Sequence, residues 1–291
     1  MTVRILVFGA RGQLGTAVTL AASGYDLEIV AAPRSADVSD AVLVRAQVEL
    51  TRPDWIVNCA AMTDVDRAHR SPSLAMAVNA LGPANIALAA TNAGARVVQI
   101  STEAVFDGEQ QQPYHEDDAC HPVSTYGAAK LAGESLALIY APDSLVLRTS
   151  WLYSGAAGIN FPTRLLRQLV DPEQSISVVT DVVGNPTPTS VLAAAIVAVI
   201  LNPPTSGLYH ICCLDPASKY EWAVEIAESA GHDPSRIAQV TSADYPTVAL
   251  RPKHVDLSCE KFLATQLFAL PNWRDAWRES MALGNTQAAS H

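Results

Sequence analysis

Cysteine is sparse and badly spaced for structural work. Cys59, Cys120, Cys212, Cys213 and Cys259 make an odd number with no C-x-x-C pair, which argues against structural zinc and a disulfide framework. Free thiols in a reducing compartment are the simpler reading, and the expected location is cytoplasmic. Basic charge is scarce too: 19 Lys and Arg stand against 29 Asp and Glu, for a net charge of -10. A chain this acidic lacks the basic face that nucleic acid or an anionic membrane requires. The longest apolar run, Val191 to Leu201, is about half of the ~20 residues a membrane span needs. No signal segment precedes the first strand, which starts almost at once. The seven histidines show no ligand spacing, and Glu116-Asp117-Asp118 reads as a solvated acidic turn, so no metal is expected.

What is present is apolar material arranged in a rhythm. Hydrophobic residues make up 49% of the 291, enough for a sizeable core. Short apolar runs at Val3–Phe8, Leu27–Ala31, Trp55–Ala61, Arg96–Ser101 and Ser144–Ser150 read as buried strands. Between them lie helical patterns at Gln13–Ala22, at Ser39–Thr51 with Ser39 as N-cap, at Pro72–Asn92 with a stop at Gly94, and at Thr125–Tyr140. Alternation of this kind demands crossover connections and predicts an α/β fold, a doubly wound parallel sheet.

Beyond Trp151 prolines become frequent and the segments shorten. A helix at Val191–Leu201, a strand at Leu208–Cys213 and a helix within Lys219–Gly231 are expected there. The division expected is residues 1–152 as a dinucleotide-binding domain, with 186–202 returning to it. Residues 153–185 and 203–283 would form a smaller substrate lobe, and 284–291 a frayed tail.

Two motifs carry chemistry. Gly9-Ala-Arg-Gly-Gln-Leu-Gly15 sits between the first strand and the first helix. Gly9 permits a tight turn, Gly12 lets backbone approach a pyrophosphate at the helix N-terminus, and Gly15 allows close helix–strand packing. No acidic residue ends the second strand to hold an adenosine ribose, while Arg11 and Arg34 can meet a 2′-phosphate. NADPH is therefore favoured over NADH. Second, Tyr126-Gly-Ala-Ala-Lys130 puts a phenol and an ammonium one helical turn apart on one face. A neighbouring ammonium lowers a phenol's pKa, suiting it to hand a proton to a nascent alkoxide. Thr102, at the fourth strand's end, adds a hydrogen-bonding group where open parallel sheets bind ligands.

These motifs and the stretches Asn58–Asp66, Val78–Gly82, Ser101–Gly108, Arg148–Tyr153, Asn160-Phe161, Gly184–Thr187 and Arg251-Pro252 come in an order that resembles the dTDP-4-dehydrorhamnose reductase family of extended short-chain dehydrogenases. The resemblance implies a Rossmann domain and an NAD(P)H-dependent reduction of a 4-keto-6-deoxy sugar nucleotide. It implies Thr102, Tyr126 and Lys130 as catalytic. It puts Gly9, Arg11, Gly12, Gln13, Leu14, Asp37, Val38, Ala60, Ala61 and Thr63 at the cofactor, to which the glycine-loop reading adds Gly15 and Arg34. It brings Thr63, Val65, Glu103, Val105, Phe106, Trp151 and Asn185 to the substrate. A homodimer fits it as well. The chain departs from the family pattern at Met62, His69, Glu103, Ala104 and Val182, mostly on the presumed substrate side. Sugar-nucleotide dehydratases of similar fold resemble Ser-Thr-Asp-Glu at this strand end, and Ala104 removes the second acid their water elimination uses. Two other functions stay open at this point: a dinucleotide-binding regulatory subunit resembling that of methionine adenosyltransferase, and a reductase of a non-sugar ketone or imine.

Overall fold

Strand β1 (Val3–Phe8) alternates its side chains between two buried faces. Ile5 and Val7 point into one apolar cluster with Leu14, Val18, Leu192, Ile196 and Val199. Leu6 and Phe8 point into another with Val44, Val48, Ile86 and Ala90. A strand covered on both faces must lie inside a sheet flanked by helices. The computed structural model, which describes residues 2–155, 158–171 and 173–288, shows that arrangement. Around β1 stand β2 (Leu27–Ala31), β3 (Trp55–Asn58), β4 (Arg96–Thr102), β5 (Leu145–Thr149) and β10 (Gly207–His210). All pairings are parallel, in the order β10-β5-β4-β3-β1-β2.

One face carries α1 (Gln13–Ala22) and α7 (Thr189–Leu201), packed on each other. Helix α7 is apolar nearly all round because α1 and the sheet enclose it. The other face carries α2 (Ala41–Thr51), α4 (Pro72–Ala93) and α5 (Thr125–Tyr140). Helix α4 has the length and apolarity of a membrane span, yet 56% of that window is buried inside the protein. Its apolarity is that of an alanine-rich core helix.

Four boundaries differ from the sequence expectation. Helix α2 starts at Ala41, because Asp40 and not Ser39 caps it, accepting from the Val42 and Leu43 N–H groups at 2.8 and 3.2 Å. Ser39 instead donates to Asp37 at 2.8 Å. Strand β3 stops at Asn58, whose side chain accepts from Ala60 N at 3.1 Å and donates to Gln99 at 2.8 Å. Those bonds turn residues 59–63 out of the sheet. Helix α4 contains a π-helical turn over Ala77–Leu81. The final helix, α10 (Trp273–Ala288), runs through most of the segment expected to fray, and 289–291 lie outside the described residues.

A smaller body covers the end of the sheet. It is built from β6 (Leu152–Tyr153) paired with β9 (Thr187–Pro188), β7 (Ile176–Val179) paired with β12 (Ile237–Val240), and β8 (Val183–Gly184) paired with β11 (Ala217–Ser218). Helices α6 (Phe161–Val170) and α8 (Lys219–Ser229) and α10 pack over these around Trp222, Trp273, Trp277 and Tyr153. Strand β10, grouped with this lobe in the sequence division, is an edge strand of the central sheet.

Beneath the junction lies a buried ion pair. Arg148 of β5 donates two hydrogen bonds to Glu134 of α5, at 2.9 and 2.8 Å. Its guanidinium also lies 5.0 Å from the Phe106 ring centroid and donates to Cys120 Sγ at 3.2 Å. Glu116, expected in a solvated turn, instead accepts the His210 N–H at 2.8 Å. Removing one partner of a desolvated pair leaves the other charge uncompensated. Glu134→Ala should cost about 3–5 kcal/mol of unfolding free energy, and Glu134→Leu combined with Arg148→Met much less. Urea denaturation measures both. A Glu134→Ala cost below about 1 kcal/mol would show the pair to be solvated.

Candidate active site

The strand order reverses direction of growth between β1 and β3, and in open parallel sheets the crevice at that point receives the ligand. Two adjoining cavities open there, of about 400 and 720 Å³. They share Arg11, Gly12, Cys59, Ala60 and Ala61, so they form one continuous cleft.

The smaller cavity lies over the end of β1 and is lined by Gly9, Arg11, Gly12, Arg34, Asp37, Val38, Ala60 and Ala61, among others. Gly9 has φ +72°, and a Cβ there would stand 2.7 Å from the Ala60 nitrogen. Gly15 is not a lining residue. It is buried where α1 crosses β1, and a Cβ would strike the Gly9 carbonyl and Ala10. At the N-terminus of α1, Gly12 caps through backbone alone and the first turn holds no acidic residue. The first-turn N–H groups are therefore free of side-chain acceptors and suit a pyrophosphate. Arg11 and Arg34 are exposed at the rim.

The opposite wall of the cleft comes from residues 59–63. Asn79, in the π-helical turn of α4, accepts from Met62 N at 2.8 Å and donates to Met62 O at 2.9 Å. A buried amide that satisfies both backbone groups of one residue fixes the loop's height. Thr63 and Val65 continue this wall into the larger cavity, with Gln13 and Leu14 opposite.

In the larger cavity the strand ends meet α5. Lys130 Nζ donates to the Ile100 carbonyl at 2.5 Å, tying the helix to β4. Thr102 donates to Glu103 at 2.7 Å and accepts from Ala104 N at 3.2 Å. The Tyr126 phenol stands beside Thr102 and Glu103, both of which act on it. Thr102, Tyr126 and Lys130 thus line one cavity with Glu103 and Trp151.

The electrostatics differ from the sequence expectation. Burial and the neighbouring Glu103 carboxylate push the Tyr126 phenol above its ordinary value, against the pull of Thr102. Burial pulls Lys130 down to about 8, with Glu134 and Cys59 acting the other way. One of the ammonium's three protons goes to a main-chain carbonyl and anchors the helix, and on the phenol burial outweighs every acidifying influence.

Three residues expected at the substrate lie elsewhere. Val105 and Phe106 are fully buried in the main core and line neither cavity. Phe106 stacks on Tyr114 with centroids 4.1 Å apart, and apolar packing is what holds it. Asn185 is buried as well. Its amide donates to Cys213 O at 3.3 Å and Asp256 at 2.9 Å, and its oxygen accepts from Leu257 N at 3.0 Å. With its donors and acceptor used to knit three loops, Asn185 shapes the floor from behind.

The lobe supplies further lining residues: Phe161, which the Asn160-Phe161 stretch carried without a role, and Arg164, Lys219 and Trp222, which the sequence did not single out. None sits in a motif whose spacing implies a site, and they converge only through the packing of α6 on α8. Cys59, Ser101 and Thr149, at strand ends, were within reach of the rule that placed Thr102.

Residues 3–285 match the model of the RmlD substrate binding domain family. The chain belongs to this family. It is 36% identical over 284 residues to a dTDP-4-dehydrorhamnose reductase of Mycolicibacterium smegmatis, covering 97% of this chain and 86% of that one. It is 35% identical over 287 residues to a dTDP-4-keto-6-deoxy-D-glucose reductase of Streptomyces niveus, covering 98% and 99%. Among solved structures, a dTDP-4-dehydrorhamnose reductase of Bacillus anthracis in complex with NADP superposes with a TM-score of 0.91 at 30% identity. That match covers 97% of this chain and 99% of the other.

The two rim arginines give the cleft a test of cofactor choice. Arg34→Ala should weaken NADPH roughly tenfold and leave NADH within about a factor of two, because only NADPH presents a phosphate to a guanidinium. Isothermal titration with both nucleotides measures this. Equal losses would place Arg34 away from the 2′ position.

Proposed function

We propose that the chain is an NAD(P)H-dependent reductase of the extended short-chain type. Its substrate would be a 4-keto-6-deoxy sugar nucleotide, its cofactor NADPH or NADH, and its proton donor Tyr126. The observation that carries the reading is the single cleft joining a glycine-lined helix N-terminus to Thr102, Tyr126 and Lys130. The relatives named for reduction of two 4-keto-6-deoxy sugar nucleotides support the substrate class. The NADP complex of a related reductase supports the cofactor.

The dinucleotide, when bound, supplies the hydride. The chain's own residues do the rest. The α1 N-terminus and Gly12 would receive the diphosphate, and Lys130, which lines the same cavity, would hold the nicotinamide ribose. Thr102 hydrogen-bonds the carbonyl oxygen and polarises it. Tyr126 holds its proton firmly, because burial and Glu103 oppose ionisation. A phenol kept neutral delivers that proton to the alkoxide once negative charge develops on the substrate oxygen. Lys130 sets where the phenol stands by docking α5 on β4. Trp151 and the lobe's aromatic residues exclude water from the reacting carbon. Elimination of water across the ring would need a second acid beside Glu103. That position is Ala104, which is buried and carries no proton-transfer group. All five cysteines are free thiols, which suits the reducing cytoplasm assumed for such an enzyme.

Tyr126→Phe should lower kcat by roughly 10²- to 10⁴-fold while NADPH affinity stays within about a factor of two. NADPH oxidation with a 4-keto-6-deoxy sugar nucleotide reads the first quantity and fluorescence titration the second. Undiminished turnover in the variant would remove Tyr126 from the chemistry.

A further inference from the structure

Lys219 opens helix α8 and reaches into the larger cavity through a cage of aromatic rings. Its Nζ stands 3.3 Å from the Trp151 ring centroid, 4.7 Å from that of Trp222 and 5.0 Å from that of Phe161. Three rings around one amine fix its position and stabilise its charge. The cage is itself rigid, since Trp151 and Trp222 stack at 5.8 Å and Phe161 packs on Trp222 at 5.0 Å.

Glu103 lines the same cavity, and its charge and that of Lys219 act on each other. Arg164 is the other charge acting on Lys219, and Tyr126 the other titratable group acted on by Glu103. Burial raises the Glu103 carboxyl and lowers the Lys219 amine, so each needs the other to stay charged. A desolvated acid–base pair at the wall of a cavity costs stability unless something is gained from it. The reduction described above uses these rings only to exclude water and gives Lys219 no role.

Position indicates the gain. Under the proposed function the Thr102 hydroxyl turns to the ketone oxygen from the Glu103 carboxylate, to which it donates at 2.7 Å. Glu103 would then accept from the hydroxyl on the adjacent ring carbon, and Lys219, on the same cavity wall, would donate to the next.

We infer that Lys219 is a specificity-determining residue of the cleft, gripping with Glu103 two neighbouring hydroxyl groups of the sugar ring beside the carbonyl. This rests on the reading of the chain as a sugar-nucleotide reductase. A site built to bond hydroxyls rejects analogues that lack them, because its buried polar groups are then left unpaired.

The test compares steady-state kinetics on a 4-keto-6-deoxy sugar nucleotide and its 2-deoxy and 3-deoxy counterparts, with NADPH affinity measured alongside. Wild-type enzyme should prefer the hydroxylated substrate over the 2-deoxy analogue by roughly 10- to 100-fold in kcat/KM. Lys219→Met should abolish that preference, mainly by raising KM, and leave NADPH binding unchanged. Lys219→Arg, which keeps donors in the cage, should retain part of it. Glu103→Gln should chiefly lose discrimination against the 3-deoxy analogue, and it carries the same comparison if Lys219→Met does not fold. An equal loss on all three substrates, or a preference that survives Lys219→Met, overturns the inference. If the wild-type protein turns over none of the three, the sugar-nucleotide reading itself falls, and the inference with it.

Discussion

Everything in the cleft depends on how closely α5 approaches the end of β4. The Lys130 Nζ bond to the Ile100 carbonyl is short and buried, and it fixes the helix along its axis. Two glycines permit the approach: a Cβ at Gly127 would strike the Ala104 carbonyl, and one at Gly133 the Asn79 carbonyl. The helix is thereby pressed against the strand end on one side and the π-helical turn of α4 on the other. That contact sets Tyr126 beside Thr102 in the larger cavity, and Asn79 sets the height of the 59–63 wall from the same place. Binding geometry and proton-donor geometry share one set of supports.

That constraint explains the charge distribution. Tyr126, Lys130, Glu103 and Lys219 are all shifted first by burial; Glu103 adds to the shift of Tyr126 and opposes that of Lys219, while Glu134 and Cys59 oppose that of Lys130. A dry site strengthens each electrostatic contact and penalises each unpaired one. The phenol therefore stays protonated until charge appears on a substrate oxygen, and Lys130 serves as much to position as to tune. The expectation of an acidified tyrosine, drawn from the Tyr126–Lys130 spacing, misses this because spacing reports proximity along a helix and says nothing of desolvation.

The parallel sheet was legible in the sequence because strands buried on both faces must be mostly apolar, and β1, β3, β4 and β5 are, apart from residues such as Arg4, Gln99 and Arg148. So were the glycine loop and the Tyr126–Lys130 face, since each owes its chemistry to local spacing. The lobe was not. Its lining residues Phe161, Arg164, Lys219 and Trp222 come from different elements and meet only through tertiary packing. Val105, Phe106 and Asn185 were misplaced for the converse reason: they belong to stretches of the family pattern, yet Val105 and Phe106 pack into the core and Asn185 is bonded to Cys213, Asp256 and Leu257. Helix caps were misread where two candidates adjoin, as with Ser39 and Asp40.

The most direct check on the account follows the hydride. A single turnover with NADPH carrying deuterium at the transferred position should give a reduced sugar nucleotide one mass unit heavier, with the label on the former carbonyl carbon. Product without label there, or cofactor left unoxidised beside an authentic 4-keto-6-deoxy sugar nucleotide, would contradict it.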